Sequence, residues 1–178
     1  MQERIFRGRG FRDGRSYWPP FQDCENITSF LDQRLDETPY DVDASELRVL
    51  ASATGLYTYP DVVVTCGEEQ FLDNQFDTLL NPLLIIEVLS PSTEDYDRGK
   101  KFASYRTIPS SREYVMVAQD RVYAERFWFQ EKGTWLYTEY AGPDAKTPLV
   151  SIGVELPMAN VYRKLALMAN ATSVRATD

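Results

Sequence analysis

The sequence predicts an α/β domain, a mixed β-sheet flanked by helices. Three observations lead there. The 178 residues suit one domain, long enough to bury a sizeable core. Apolar periodicity switches between helical and extended in the order helix, three strands, helix, strand, hairpin, helix. Two runs without a polar face, 83 to 89 and 112 to 118, bracket a charged helical stretch. That is the pattern of a strand-helix-strand crossover joining parallel strands.

Residues 1 to 22 differ from the rest. Arg4, Arg7, Arg9, Arg12 and Arg15 against Glu3 and Asp13 leave this stretch at +3 in a chain of −8. With glycines and Pro19-Pro20 but no period, it reads as a basic, weakly ordered arm. It is either a solvated terminus or a local nucleic-acid contact. The arm is set at 1 to 24, the domain at 25 to 170 and a tail at 171 to 178.

From Asn26, the spacing of Ile27, Phe30, Leu31 and Leu35 predicts a helix ended by Thr38-Pro39. "YDVDASELRVL" (40 to 50) alternates loosely and predicts a strand; "YPDVVVTC" (59 to 66) predicts a second, β-branched one. Residues 67 to 82 are acidic and polar, a loop. The run 83 to 89, between Asn81-Pro82 and Ser90-Pro91, predicts a third strand. A helix follows from Glu94 to Ile108, then a central fourth strand at 112 to 118. "VYAERFWFQ" and "TWLYTEYA" around Glu131-Lys132-Gly133 predict a hairpin, and 156 to 169 a closing amphipathic helix. The first three strands should form an antiparallel meander, the third and fourth a parallel pair.

Composition excludes several chemistries. The chain has no histidine, which removes histidine triads and dyads and most zinc hydrolase sites. Catalysis would have to use carboxylates, lysine, tyrosine or a hard metal bound through oxygen. Cys24 and Cys66 are far apart in the sequence, without zinc-ligand spacing, so a reducing cytoplasm is the expectation. No signal-peptide pattern and no stretch of about 18 apolar residues points to a membrane. A charge of −8 supplies no bulk attraction for nucleic acid, so such a site would be a local patch.

Glu87 stands inside the third strand's apolar run, where an ionised carboxylate costs several kcal/mol unless paired or bound to metal. Asp61 opens the second strand, directly after Pro60. If the two strands pair, both acids can meet on one sheet face, where a divalent cation or a lysine would relieve their repulsion. A buried Glu87–lysine salt bridge with Asp61 capping a turn accounts for these residues equally well. On the following helix Asp97, Lys101 and Tyr105 recur every four residues. They form either a solvated ion-pair face or a row aimed back over Glu87.

The segments "YPDVVV", "PLLIIEVLSPSTEDYDRGKKFASYRTIPSSREYVMV" and "SIGVELPMANVY" resemble the Uma2 family, restriction-endonuclease-like proteins of the PD-(D/E)xK nuclease superfamily. The resemblance runs from about Asn26 to Tyr162. It implies a restriction-endonuclease-like fold and hydrolysis of DNA with Mg²⁺ or Mn²⁺ held by Asp61 and Glu87. The superfamily's lysine position, two residues after the glutamate, is Leu89 here. The resemblance moves the catalytic lysine to Lys101, with Lys100 second choice, and makes Asp97 and Tyr105 supporting residues. Residues 1 to about 24 do not resemble the family's front segment. Glu25 and Glu46 are the candidates for a further acid. The alternative is a catalytically impaired binding or regulatory module on the same fold; a homodimer stays open.

Overall fold

A computed structural model of the chain describes residues 22–44, 46–73, 76–90 and 93–164. The basic arm, the tail and the last five residues of the predicted closing helix lie outside the described residues. The strands in chain order are β1 (Tyr40–Ala44), β2 (Arg48–Ala51), β3 (Leu56–Thr58), β4 (Val62–Cys66), β5 (Thr78–Leu79), β6 (Leu84–Leu89), β7 (Glu113–Ala118), β8 (Tyr123–Phe129), β9 (Trp135–Ala141), β10 (Lys146–Leu149) and β11 (Val154–Pro157). The helices are α1 (Gln22–Leu35), α2 (Glu94–Tyr96), α3 (Phe102–Tyr105) and α4 (Met158–Val161). A π-helical turn, Asp97–Lys101, joins α2 to α3.

The main sheet has six strands in the order β1-β4-β6-β7-β8-β9. Only β6 and β7 run parallel; β1–β4, β4–β6, β7–β8 and β8–β9 are antiparallel. This is the mixed sheet the sequence predicts, with its crossover and its hairpin. Alternate residues of the central strands feed two separate cores, because side chains on a strand alternate between faces. Val62, Val64, Leu84, Ile86, Val115 and Val117 pack with Ile27, Leu31 and Leu35 of α1. Val63, Ile85, Leu89, Tyr114 and Met116 pack with Tyr105 of α3 on the other face. Helices cover both faces, so β6 and β7 carry almost no solvent-facing side chains.

Several boundaries differ from the sequence expectation. Helix α1 begins at Gln22, four residues before Asn26, with Asp23 and Glu25 in its first turn, where acids suit the helix dipole. The stretch 40 to 50 is two strands in different sheets: β1 joins the main sheet, while β2 pairs with β3 and β5 in a sheet of three. Loose alternation hid that break. The predicted loop 67 to 82 contains β5 and a bridge at Phe71. The helix predicted over 94 to 108 is interrupted by the π-helical turn and ends at Tyr105. Where a closing helix was predicted from residue 156, Leu156 and Pro157 complete β11, paired with β10, and the α-helix covers Met158–Val161. The period-3.6 spacing there reported burial of Leu156, Met158 and Val161, not helix length.

Candidate functional site

β4 and β6 pair with Val62 opposite Ile86. Continuing that register by one residue puts Asp61 opposite Glu87, on the face that carries Ile85 and Leu89. The Asp61 carboxylate reaches across the gap, its Oδ2 accepting the Val88 backbone N–H at 2.7 Å. The two acids therefore meet at the end of the β4–β6 ladder, beside the C-terminal end of β6.

The helix after β6 brings the cation. Lys101 Nζ lies 2.9 Å from Glu87 Oε2 and 2.9 Å from Asp97 Oδ1. Tyr105, fully buried, donates its hydroxyl proton to Glu87 Oε1 at 2.9 Å and lies 3.2 Å from Thr58 Oγ1. The Tyr114 hydroxyl donates to the Asp97 carbonyl at 3.2 Å, inside the π-helical turn. Such turns carry about one extra residue per turn and recur at functional sites. Here the turn spans the segment that presents both Asp97 and Lys101. Leu89, two residues after Glu87, is buried in the core under α3. A lysine arriving from the helix leaves that core position apolar.

The expected residues thus come together, with defined parts. Asp97 contacts the lysine, while Tyr105 holds Glu87 and not the lysine. Lys100 is exposed, on a different side of the helix from Lys101. The expected extra acids do not join. Glu25 and Glu46 are exposed, and neither charge bears on Asp61 or Glu87. Asp23 does bear on Asp61: it is fully buried in the first turn of α1, and its charge raises the Asp61 pKa. Two residues apart on a helix means about 200° of rotation, so Asp23 and Glu25 face opposite ways. Cys24 ties the same turn to the site, its thiol 3.2 Å from the Asp61 carbonyl oxygen. Sequence reading sets the first 24 residues apart as an arm, and Asp23 carries no motif to mark it.

Burial sets the electrostatics. It pushes the Glu87 carboxyl up to about 7 although Lys101 pulls it down; Asp61 and Asp97 add to the rise. Asp61 is also raised, by burial first, against the Val88 N–H and Lys101. For Lys101, burial opposes the charge, but Glu87 and Asp97 outweigh it and its pKa is raised. Three carboxylates thus share one ammonium. Glu87 is 2% exposed, so solvent approaches through the half-buried Asp61 and Lys101 and not over Glu87.

Asp61 and Glu87 are hard oxygen donors on neighbouring strands with surplus negative charge, which fits Mg²⁺ or Mn²⁺. Among the described residues no group of three or more acidic or cysteine side chains is placed to hold an ion. Two carboxylates would suit a cation that keeps water for its remaining positions, as Mg²⁺ commonly does.

The pKa of Glu87 has a consequence for stability. A carboxyl whose folded pKa exceeds its unfolded value binds more protons folded than unfolded. Its stabilising contribution is complete below about 4.5 and is lost as pH rises through about 7. In chelator, the chain is expected to lose about 3 kcal/mol of this contribution between pH 4.5 and 7, at roughly 1.4 kcal/mol per pKa unit. Urea midpoints across pH 5 to 8 measure this. Glu87→Gln should flatten the profile, and an unchanged profile would assign the slope elsewhere.

The family model described as "Uma2: Putative restriction endonuclease" matches residues 16–159. Two proteins of Synechocystis sp. (strain ATCC 27184 / PCC 6803 / Kazusa) are similar in sequence. "Uncharacterized protein slr1290" is 36% identical over 79% of this chain and 72% of its own length. "Uncharacterized protein sll1609" is 35% identical over 68% of each. Among solved structures, that of a "putative nuclease belonging to DUF820" from Anabaena variabilis ATCC 29413 superposes with a TM-score of 0.64. The likeness covers 79% of this chain and 78% of that one at 16% identity, a likeness of fold.

Proposed function

The chain belongs to the Uma2 family, and from that membership we propose that it is a metal-dependent endonuclease hydrolysing DNA phosphodiester bonds. One observation carries the reading: Lys101, delivered by the π-helical turn, sits 2.9 Å from the carboxylate of Glu87, the residue opposite Asp61. Asp61 and Glu87 would hold Mg²⁺ or Mn²⁺. When bound, the metal supplies Lewis acidity and an activated water. Tyr105 fixes the orientation of Glu87, and Asp97 fixes that of Lys101. In this reading the Lys101 ammonium stabilises charge building on a phosphate oxygen.

The burial of Glu87, 2% exposed and already paired, favours a second reading, a binding or regulatory module that keeps the fold without the chemistry. A cleavage panel over single- and double-stranded DNA and RNA, with Mg²⁺, Mn²⁺ or chelator, separates the two. Metal-dependent products support the nuclease; their absence on every substrate supports the module.

Metal binding is testable without turnover. At a hundred times Kd, Mg²⁺ or Mn²⁺ should add about 2.7 kcal/mol of stability, read as a rise in Tm. Glu87→Gln should abolish that response while stabilising the metal-free chain by relieving carboxylate repulsion. A Tm indifferent to millimolar metal would remove the cation from the site.

A further inference from the structure

A row of side chains crosses the main sheet on the face that carries the site. In the β6–β7 ladder Glu87 stands opposite Met116, and in the β7–β8 ladder Met116 stands opposite Glu125. Glu125 is therefore on the same sheet face as Glu87, two strands away, roughly 10 Å at the usual strand spacing. It is buried, at 6% exposure. The segment that delivers Lys101 passes over this row and is tied to it twice. Lys101 meets Glu87, and three residues earlier Arg98 Nε donates to Glu125 Oε2 at 2.9 Å. The other carboxylate oxygen of Glu125 accepts the Tyr123 hydroxyl at 3.3 Å. A buried carboxylate with both oxygens engaged, one of them by a cation, is a fixed point of attachment.

That attachment comes where apolar packing supplies none. The segment Glu94–Tyr105 is no longer than the roughly 12 to 15 residues at which an isolated helix is marginal in water, and its π-helical turn is an uncommon form. Its C-terminal half is held by the core. Tyr105 is buried there, and Phe102 stacks on Phe127 with ring centroids 4.0 Å apart. The N-terminal half differs. No residue of α2 is buried, and within the π-helical turn only Asp97 is. The Arg98–Glu94 pair at 3.2 Å lies inside the segment and fastens it to nothing else. The turn is joined to the sheet through the Tyr114 hydroxyl on the Asp97 carbonyl and through the two cation–carboxylate pairs. In the nuclease reading Glu87 serves the metal and Lys101 the phosphate, so their mutual pair loosens as the site fills. Arg98–Glu125 involves neither residue.

We propose that Arg98 and Glu125 are positioning residues, a clamp two strands from the acids that keeps the π-helical turn down on the sheet and so keeps Lys101 over the site. This inference rests on the nuclease reading and adds to it two residues that touch neither metal nor substrate. The Arg98 side chain is 28% exposed, and a partly exposed ion pair by itself contributes little to stability. An ion pair of that ordinary kind would leave turnover unchanged when removed. A clamp would not, because a displacement of about 1 Å in a catalytic group can cost roughly a hundredfold in rate.

The test compares Arg98→Ala, Glu125→Ala, the double variant and Arg98→Lys in the full chain. In chelator, amide hydrogen exchange on peptides covering Glu94–Tyr105 should quicken roughly tenfold in either alanine variant, while peptides of β6 and β7 exchange as in wild type. In Mg²⁺ or Mn²⁺, kcat for DNA cleavage should fall roughly tenfold or more, with KM and the metal-induced rise in Tm kept. The double variant should be no worse than either single one, since the two residues act as a unit. Arg98→Lys should recover most of both readouts, because its ammonium reaches past the position of the arginine Nε and keeps the charge. Unchanged exchange, or quickened exchange with kcat kept, would overturn the inference, while wild-type cleavage leaves the nuclease reading standing. A wild type that cleaves no substrate would remove that reading and this inference with it.

Discussion

Lys101→Ala is expected to cut metal-dependent DNA cleavage by roughly a hundredfold or more, the scale for losing one preorganised transition-state donor. An ammonium cannot ligate a cation, so the metal-induced rise in Tm should survive the change. Melting curves of the variant and the wild type in the same buffers measure this. The variant also leaves Glu87 and Asp97 without their shared partner at 2.9 Å, so the metal-free chain should lose stability. Cleavage is therefore compared at saturating metal, where a melting curve certifies that the variant is folded. Lys100→Ala, on the exposed side of the helix, should stay within about tenfold, because Lys100 lies outside the ion-pair network. Equal cleavage by wild type and Lys101→Ala would remove Lys101 from the chemistry.

The parts of this site that could be read from the sequence were those with a physical contradiction in them. Glu87 stood out as a charge inside a buried strand, and its pairing to Lys101 resolves that contradiction. Asp61 was legible because the two β-branched strands had to pair for the meander to close, and they do. The helical row Asp97–Lys101–Tyr105 named side chains that do meet around Glu87, but which one contacts which depended on the π-helical turn, which a period of 3.6 cannot reveal. Asp23 was not legible: an acid in the first turn of a helix is common on solvated surfaces, and only its burial and the effect of its charge on Asp61 distinguish it. The small sheet β2-β3-β5 was missed for a related reason. Its strands are two to four residues long, too short for alternation to rise above noise.

Glu113 escaped the same reading because it lies at the start of a strand, where an acid usually faces water. Here it is fully buried and pairs with Arg126 Nε, itself 4% exposed. It also accepts the Val150 N–H at 3.1 Å, the Ser151 N–H at 2.9 Å and the Ser151 hydroxyl at 2.6 Å. One carboxylate thus fastens the 3₁₀ turn Val150–Ile152 to the central strand β7. Glu113→Ala should destabilise the chain by about 3–5 kcal/mol, because it strands a buried guanidinium and three donors. Among single substitutions this is expected to be one of the most damaging outside the apolar core. The pair itself need not be worth that much. Desolvation of two ions offsets most of their attraction, so Glu113→Leu combined with Arg126→Met should cost clearly less than Glu113→Ala alone. Urea unfolding of the three proteins measures the difference. A loss under about 1 kcal/mol for Glu113→Ala would mean that water or a side-chain shift replaces the carboxylate, and the turn is held by its apolar contacts at Leu149 and Ile152.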